Sequence, residues 1–368
     1  MTPRTLTVRA LGRATLARQH LLHRADLPVL DAVEHLLGLQ AQAPTPPYFA
    51  LWARLRRFRP AALADLIEGR HVVRTVLMRG TVFAVSAADA AALRDWVQPL
   101  LDRDLATNTQ YAAGLAGVDL RELAAAGRDL LGDAPRSLQE LRPLLAERFP
   151  GRDPAALAYG LRNLLPLVQV PPRGLWGRSG QPRLTPLDEW TGRGPARPDP
   201  AVVLRRYLAA FGPASVRDAQ AWSGLTRLGE VFERLRPSLE VFRDENGVEL
   251  FDLPDAPRPD PATPAPVRIL APYDNVLLSH ADRTRIVSDE HRRRIVTQNG
   301  IVRSAVLVDG TVAGTAKLAV AKDSAVLEVT PWRRLTARQR SAVEAEGLRL
   351  ARFGGATAPT HEVRFPAG

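Results

Sequence analysis

A chain of 368 residues is too long for one ordinary core and implies two to four compact units. Cysteine is absent, which excludes disulfides, thiolate zinc sites and a cysteine nucleophile. The formal net charge is +11 and nearly every cation is arginine, the lysines being Lys317 and Lys322 alone. That positive field favours an anionic partner, nucleic acid ahead of membrane.

The opening run MTPRTLTVRALGRATLARQHLL has no signal-peptide core, and no later stretch is long and apolar enough to span a bilayer. A soluble, cytoplasmic protein with no membrane partner is expected. His20 and His23 sit three apart on one face of a helical run, with no companion at ligand spacing, so no metal is expected. PVLDAVEHLLGLQ and PAALADLIEGR read as helices. Between them GLQAQAP places Gln40 and Gln42 one residue apart, just before a proline-rich turn. HVVRTVLMRGTVFAVSA then gives two β-rich runs around Arg79-Gly80.

The pattern of helices followed by a hairpin recurs twice. SLQELRPLLAERFP and PAALAYGLRNLLPLVQVPP are helical and lead into a hairpin with its tip at Gly177–Gly180. AVVLRRYLAAFG, ASVRDAQAWSGL and LTRLGEVFERLRPSL form a helix–turn–helix pattern, followed by two alternating runs flanking Glu245-Asn246-Gly247. Proline-rich linkers at Thr191–Pro200 and Leu253–Val267 punctuate the chain. The last region alternates, turns at Asn299-Gly300 and Asp309-Gly310, and carries a helix that Thr336 would cap.

The expected fold is therefore α+β, with three tandem winged-helix units and a C-terminal small antiparallel β-barrel or sheet. The units are residues 1–95, which hold the two glutamines, 96–192 and 200–255; the β-rich domain is 266–368. Winged helices place a helix in a DNA groove and the wing on the backbone. Arg178 and Arg183 on one wing, and Arg217 and Arg227 around the middle helix pair, are expected at phosphates. HRRRIV, with Arg292 and Arg293, reads equally as a DNA-facing loop and as a hairpin edge kept unpaired by its cations. LAPYDNVLLSHADRTRIV concentrates Asp274, Asn275, His280, Asp282, Arg283 and Arg285. His280, Arg283 and Arg285 are expected to meet DNA, and an Asp–Arg clamp onto the helical part is the alternative reading. The sequence shows no P-loop, G-x-G-x-x-G loop or G-x-S-x-G elbow, and no cofactor is expected.

GLQAQAPTPPYFALWARL, the three helix-and-hairpin units and DNVLLSHADRTRIV, in that order, resemble the AlkZ/YcaQ-type winged-helix DNA glycosylases over essentially the whole chain. In that family a Gln-apolar-Gln or Gln-apolar-Asp motif marks the catalytic site. Gln40-Ala41-Gln42 is similar to the AlkZ branch associated with genotoxic natural products. The resemblance implies a monofunctional glycosylase that removes cationic N-alkylpurines, unhooks interstrand crosslinks and protects the producing cell. Gln40 and Gln42 would be catalytic, and the partner would be duplex DNA carrying alkylated or crosslinked purines, met by a monomer.

Amides have no useful basicity near neutral pH, so the pair can orient a water but cannot act as a strong general base. That suffices when alkylation at N7 or N3 has already made the purine a cationic leaving group, and a neutral lesion such as uracil should resist. No lysine lies near the motif in sequence, so no Schiff-base lyase step is expected. A base tied to the opposite strand cannot be flipped in the usual way; a grooved surface is expected, with Thr297–Val302 as a hairpin that probes the duplex. Two readings compete. One is a non-enzymatic winged-helix DNA-binding protein, a regulator or lesion-sequestering shield. The other is a housekeeping alkylpurine enzyme, against which the amide at position 42 argues.

Overall fold

The computed structural model describes residues 3–297 and 299–366 of the α+β chain. Gln298, within the hairpin expected at Thr297–Val302, lies outside the described residues.

The hairpins expected as the wings of the first two regions lie in one antiparallel five-stranded sheet, ordered Leu39–Gln40, Val82–Ser86, Val72–Val76, Leu167–Gln169, Leu184–Pro186. Arg79 and Gly80 turn the first hairpin with positive φ values of 57° and 68°. The loop between the last two strands carries Gly177–Gly180. The second region also keeps a leucine core of its own, built from Leu123, Leu141, Leu157 and Leu161.

The third region follows its sequence closely. Asp199 caps Pro200–Phe211, Ser215 and Asp218 form a capping box on Val216–Ser223, and Gly224 ends that helix in the left-handed conformation. A Cβ on Gly224 would stand 3.2 Å from the Arg79 Cα, so glycine lets this helix end abut the first hairpin turn. Glu240–Arg243 and Glu249–Asp252 pair around Asn246-Gly247, and Arg4–Thr5 adds a short parallel edge. The main core runs without interruption from the first region into the third, around Phe83, Tyr207, Trp222 and Phe251.

The C-terminal sheet has the order Thr360–Arg364, Ser324–Pro331, Thr311–Val320, Ser304–Val308, Arg268–Ile269. It is mixed, which corrects the expected antiparallel arrangement: Thr360–Arg364 runs parallel to Ser324–Pro331. The intervening helix Ala337–Gly354, capped by Thr336 and Gln339, carries the chain back to the end where the preceding strand began. HRRRIV is neither loop nor hairpin edge. Ser288 caps a helix over Asp289–Ile295, with Asp289 and Glu290 in its first turn and Arg292–Arg294 in its last, as the helix dipole favours. His20 also departs from expectation. The helix Val8–Arg18 has ended before it, and its ring packs on His35 at 4.9 Å.

Helix Val8–Arg18 fastens the regions together. Arg18 forms a bidentate pair with Asp252 at 2.6 and 2.8 Å, both side chains fully buried. Arg13 holds Asp309 and the Thr263 carbonyl, and Arg9 holds Asp309 and the Pro261 carbonyl. The linker Leu253–Val267 is thereby pinned along its length. Removing one partner of a buried pair leaves an uncompensated charge. Asp252→Ala should cost about 3–5 kcal/mol of unfolding free energy. Arg57→Ala, which breaks an exposed pair with Asp26, should cost less than about 1 kcal/mol. Urea denaturation followed by circular dichroism measures both.

Candidate active site

Leu37 and Gly38, both at positive φ, turn the chain out of helix Val29–His35 and into the strand that carries the motif. A Cβ on Gly38 would lie 3.1 Å from the Ala84 carbonyl and 3.3 Å from Val85, so the position requires glycine. Leu39 then pairs with Ala84 and Gln40 with Phe83, and Ala41 N–H donates to the Val82 carbonyl at 2.7 Å. The strand ends at Gln40; Ala41 is fully buried, and Gln42 stands exposed where the chain begins to bend. After Gln42 the chain bends, and Pro46 and Pro47 open helix Pro46–Arg54.

Each glutamine is oriented by a donor. Arg79 Nη2 donates to Gln40 Oε1 at 2.8 Å, and Val82 N–H donates to Gln42 Oε1 at 3.3 Å. Guanidinium and backbone N–H can only donate, so the carbonyl end of each amide is fixed toward the protein. Among the described residues neither Nε2 donates to a protein acceptor. Gln40 is buried and Gln42 exposed.

Two arginines supply the frame, and neither meets a carboxylate among the described residues. Arg74 donates to the Ala41 carbonyl at 2.9 Å and to Gln169 Oε1. Arg79 donates to the Trp222 carbonyl at 2.6 Å as well as to Gln40. Burial pushes both guanidinium groups down to about 10, with Arg173 adding to the effect at Arg74 and Arg283 at Arg79. Both remain cationic at neutral pH, so the strand sits in a positive field that suits a polyanion. Sequence reasoning missed both. The available signal was a charge within each apolar run of HVVRTVLMRGTVF.

Asp274 shares a small cavity with Gln40, Gln19 and Arg54. It is buried and holds Arg54 through both oxygens, at 2.7 and 2.8 Å, while accepting from Val276 N–H. Asn275 donates to the Gly38 carbonyl at 3.0 Å. This segment is the Asp–Arg clamp, and it braces the motif strand from behind. His280 and Arg285 belong to the clamp too, which corrects the expectation that they meet DNA. His280 is buried on the Phe211 carbonyl, and burial beside Arg285 holds its imidazole neutral. Arg285 is buried on the Pro213 carbonyl, with Asp218 at 3.7 Å. Neither can reach a phosphate.

Arg178, Arg217, Arg227, Arg292 and Arg293 are exposed, and Arg283 is half-buried near Arg292. Arg183 is exposed but engaged with Glu140 at 3.2 Å. Beside Arg293 a cavity of about 600 Å³ is lined by Arg294, Arg303 and Trp332, with no carboxylate among its lining residues. Among the described residues no group of three His, Asp or Glu could hold a metal ion, and no helix is long and apolar enough to cross a membrane.

Gln40 and Gln42 thus stand beside two buried arginines that no carboxylate neutralises among the described residues. The comparisons then place the chain. The family model described as DNA glycosylase AlkZ-like matches residues 33–353, and the chain belongs to that family. An interstrand DNA cross-link repair glycosylase of Streptomyces sahachiroi is 26% identical over 377 aligned positions, covering 92% of this chain and 94% of that protein. The solved structure of Streptomyces sahachiroi DNA glycosylase AlkZ matches with a TM-score of 0.80 at 21% identity, over 98% of this chain and 100% of that one, which shows a shared fold.

Arg79→Ala removes the donor that fixes the Gln40 amide. Base release at saturating protein should fall by about 100-fold, the scale of a misplaced reacting group. Arg79→Lys, which keeps the charge and loses the fork, should recover only part of the rate. Single-turnover excision, with duplex affinity measured in parallel, separates this from a loss of binding.

Proposed function

We propose that this enzyme excises cationic N-alkylpurines, N7-alkylguanine above all, and unhooks interstrand crosslinks, with Gln40 and Gln42 as its catalytic residues. The observation that carries the reading is the exposed Gln42 amide, anchored on Val82 N–H just past a short strand, close in sequence to a buried Gln40 held by Arg79. In an N7-alkylguanine the C1′–N9 bond breaks with its electron pair going to N9, which neutralises the base. The sugar becomes oxocarbenium-like, water adds at C1′, and its proton leaves to solvent. A water that accepts from an Nε2 hydrogen keeps a second lone pair for C1′, so orientation is the amides' contribution. No acid is required on the departing base.

An exposed catalytic amide suits a crosslinked base, which cannot be swung into a deep pocket. We read the three helix-and-hairpin regions as winged-helix-like units that follow the duplex. Arg178, Arg217, Arg227, Arg283, Arg292 and Arg293 would then stand at phosphates, with Arg183 available once Glu140 releases it. The protein would act as a monomer in the cytoplasm, protecting a cell that makes a DNA-alkylating natural product. Membership of a glycosylase family favours this over a regulator or shield, and the amide at position 42 disfavours a broad housekeeping role.

The test is base release from duplex DNA carrying N7-alkylguanine or a nitrogen-mustard crosslink. Gln42→Ala and Gln40→Ala should each lower excision by about 100-fold or more while duplex binding stays intact. Uracil in the same duplex should remain uncut. Tight binding by the wild type without release of any cationic base would overturn the reading.

A further inference from the structure

The cavity of about 600 Å³ beside Arg293 is assembled from three elements of the C-terminal region. Helix Asp289–Ile295 brings Arg293 and Arg294, the residue before strand Ser304–Val308 is Arg303, and the residue after strand Ser324–Pro331 is Trp332. Backbone bonds fix these elements to the rest of the domain. Arg303 N–H donates to the Ile295 carbonyl at 2.9 Å, and Trp332 N–H donates to the Ala313 carbonyl at 2.8 Å. His291, on the arginine helix, packs its ring on Trp332 with centroids 4.9 Å apart. The volume lies within the ordinary range for small-molecule sites.

The charge of this cavity is left open. Arg18 and Arg54, which hold the fold together, are buried on carboxylates. Arg293 and Arg303 are exposed and form no ion pair among the described residues, and Arg294 meets Glu290 only at 3.6 Å, with both side chains exposed. Trp332 is half-buried. Guanidinium forks suit phosphate, and an indole is a stacking platform for any base. Together they fit a nucleotide. A paired duplex offers its phosphates but keeps its base faces stacked inside, so Trp332 finds a partner only where a base is unpaired.

Arg283 points to a DNA strand as the source of that nucleotide. It lies near Arg79 on one side and Arg292 on the other, and each pair repels. Cations thus continue from the guanidinium that holds Gln40 to the helix that walls the cavity, which is the course of a phosphate backbone and not the isolated pocket of a free nucleotide. Excision of a base also leaves its partner on the opposite strand unpaired, so the proposed reaction itself creates such a nucleotide.

Resting on the proposed glycosylase reading for its DNA partner, we propose that this cavity captures one unpaired nucleotide of the bound DNA, with the base stacked on Trp332 and the phosphate held by Arg293 and Arg303.

The experiment measures equilibrium binding of two undamaged duplexes, one fully paired and one identical but for a single bulged adenine. The wild type should bind the bulged duplex about tenfold more tightly, as stacking of one base on an aromatic predicts. Trp332→Ala should abolish that preference while affinity for the paired duplex holds, and Trp332→Phe should keep most of it. Arg303→Gln should weaken binding of the bulged duplex and lower the slope of its salt dependence by about one. Free dGMP at the concentration of the DNA should not displace the bulged duplex; displacement would assign the cavity to a free nucleotide and overturn the proposal. Equal affinity of the wild type for the two duplexes, or a preference that survives Trp332→Ala, would overturn it too. Neither duplex carries a lesion, so base release from alkylated DNA is scored separately, and its failure would sink the glycosylase reading alone.

Discussion

Two guanidinium groups with no carboxylate partner among the described residues hold the glutamine strand. Arg74 donates into its peptide backbone at Ala41, and Arg79 donates into the Gln40 side chain. A buried arginine is costly unless its donors are satisfied, and here neutral oxygens of the motif and its neighbours satisfy them. The charge is left unneutralised. The same arrangement fixes which end of the Gln40 amide is turned toward the protein, places a positive field behind the motif, and ties the strand to the Trp222 carbonyl in the third region. A carboxylate in this frame would be drawn into an ion pair, whereas an amide keeps its hydrogen-bonding ends distinct.

Rigidity around the strand comes from distant parts of the chain. Asn275 braces Gly38, Asp274 neutralises Arg54, and helix Val8–Arg18 couples Asp252 and Asp309 through three arginines. Residues more than two hundred positions from the motif thus determine whether its amides hold their place. Orientation is the main service an amide pair can perform, so the proposed mechanism depends on this bracing.

Local signals in the sequence were reliable and long-range ones were not. The turns at Arg79-Gly80, Asn246-Gly247 and Asp309-Gly310, and the helix capped at Thr336, could be read because turn and cap chemistry is encoded within a few residues. The shared sheet of the first two regions could not, because its joining pair, Val72–Val76 with Leu167–Gln169, spans almost a hundred residues. Cation density concealed the helix at Asp289–Ile295, although Ser288 followed by two acids and three arginines is a capped, dipole-matched pattern. His280 and Arg285 looked like surface contacts because residue type does not reveal burial. Gln40 and Gln42 were singled out through the family pattern; their spacing alone fits an ordinary cap. Arg74 and Arg79 become visible once the strand they hold is in place.

The central claim is that base release here needs no titrating side chain, because the lesion carries the charge that drives its own departure. The pH dependence of single-turnover excision of N7-methylguanine, corrected for spontaneous loss, tests it most directly. Amides do not titrate, and Arg74 and Arg79 lose their protons only near pH 10. The account predicts a rate that is flat from about pH 5 to pH 9. A rate that falls on the acid side with a carboxylate-like midpoint would contradict it and move the chemistry from the glutamines to an acidic residue.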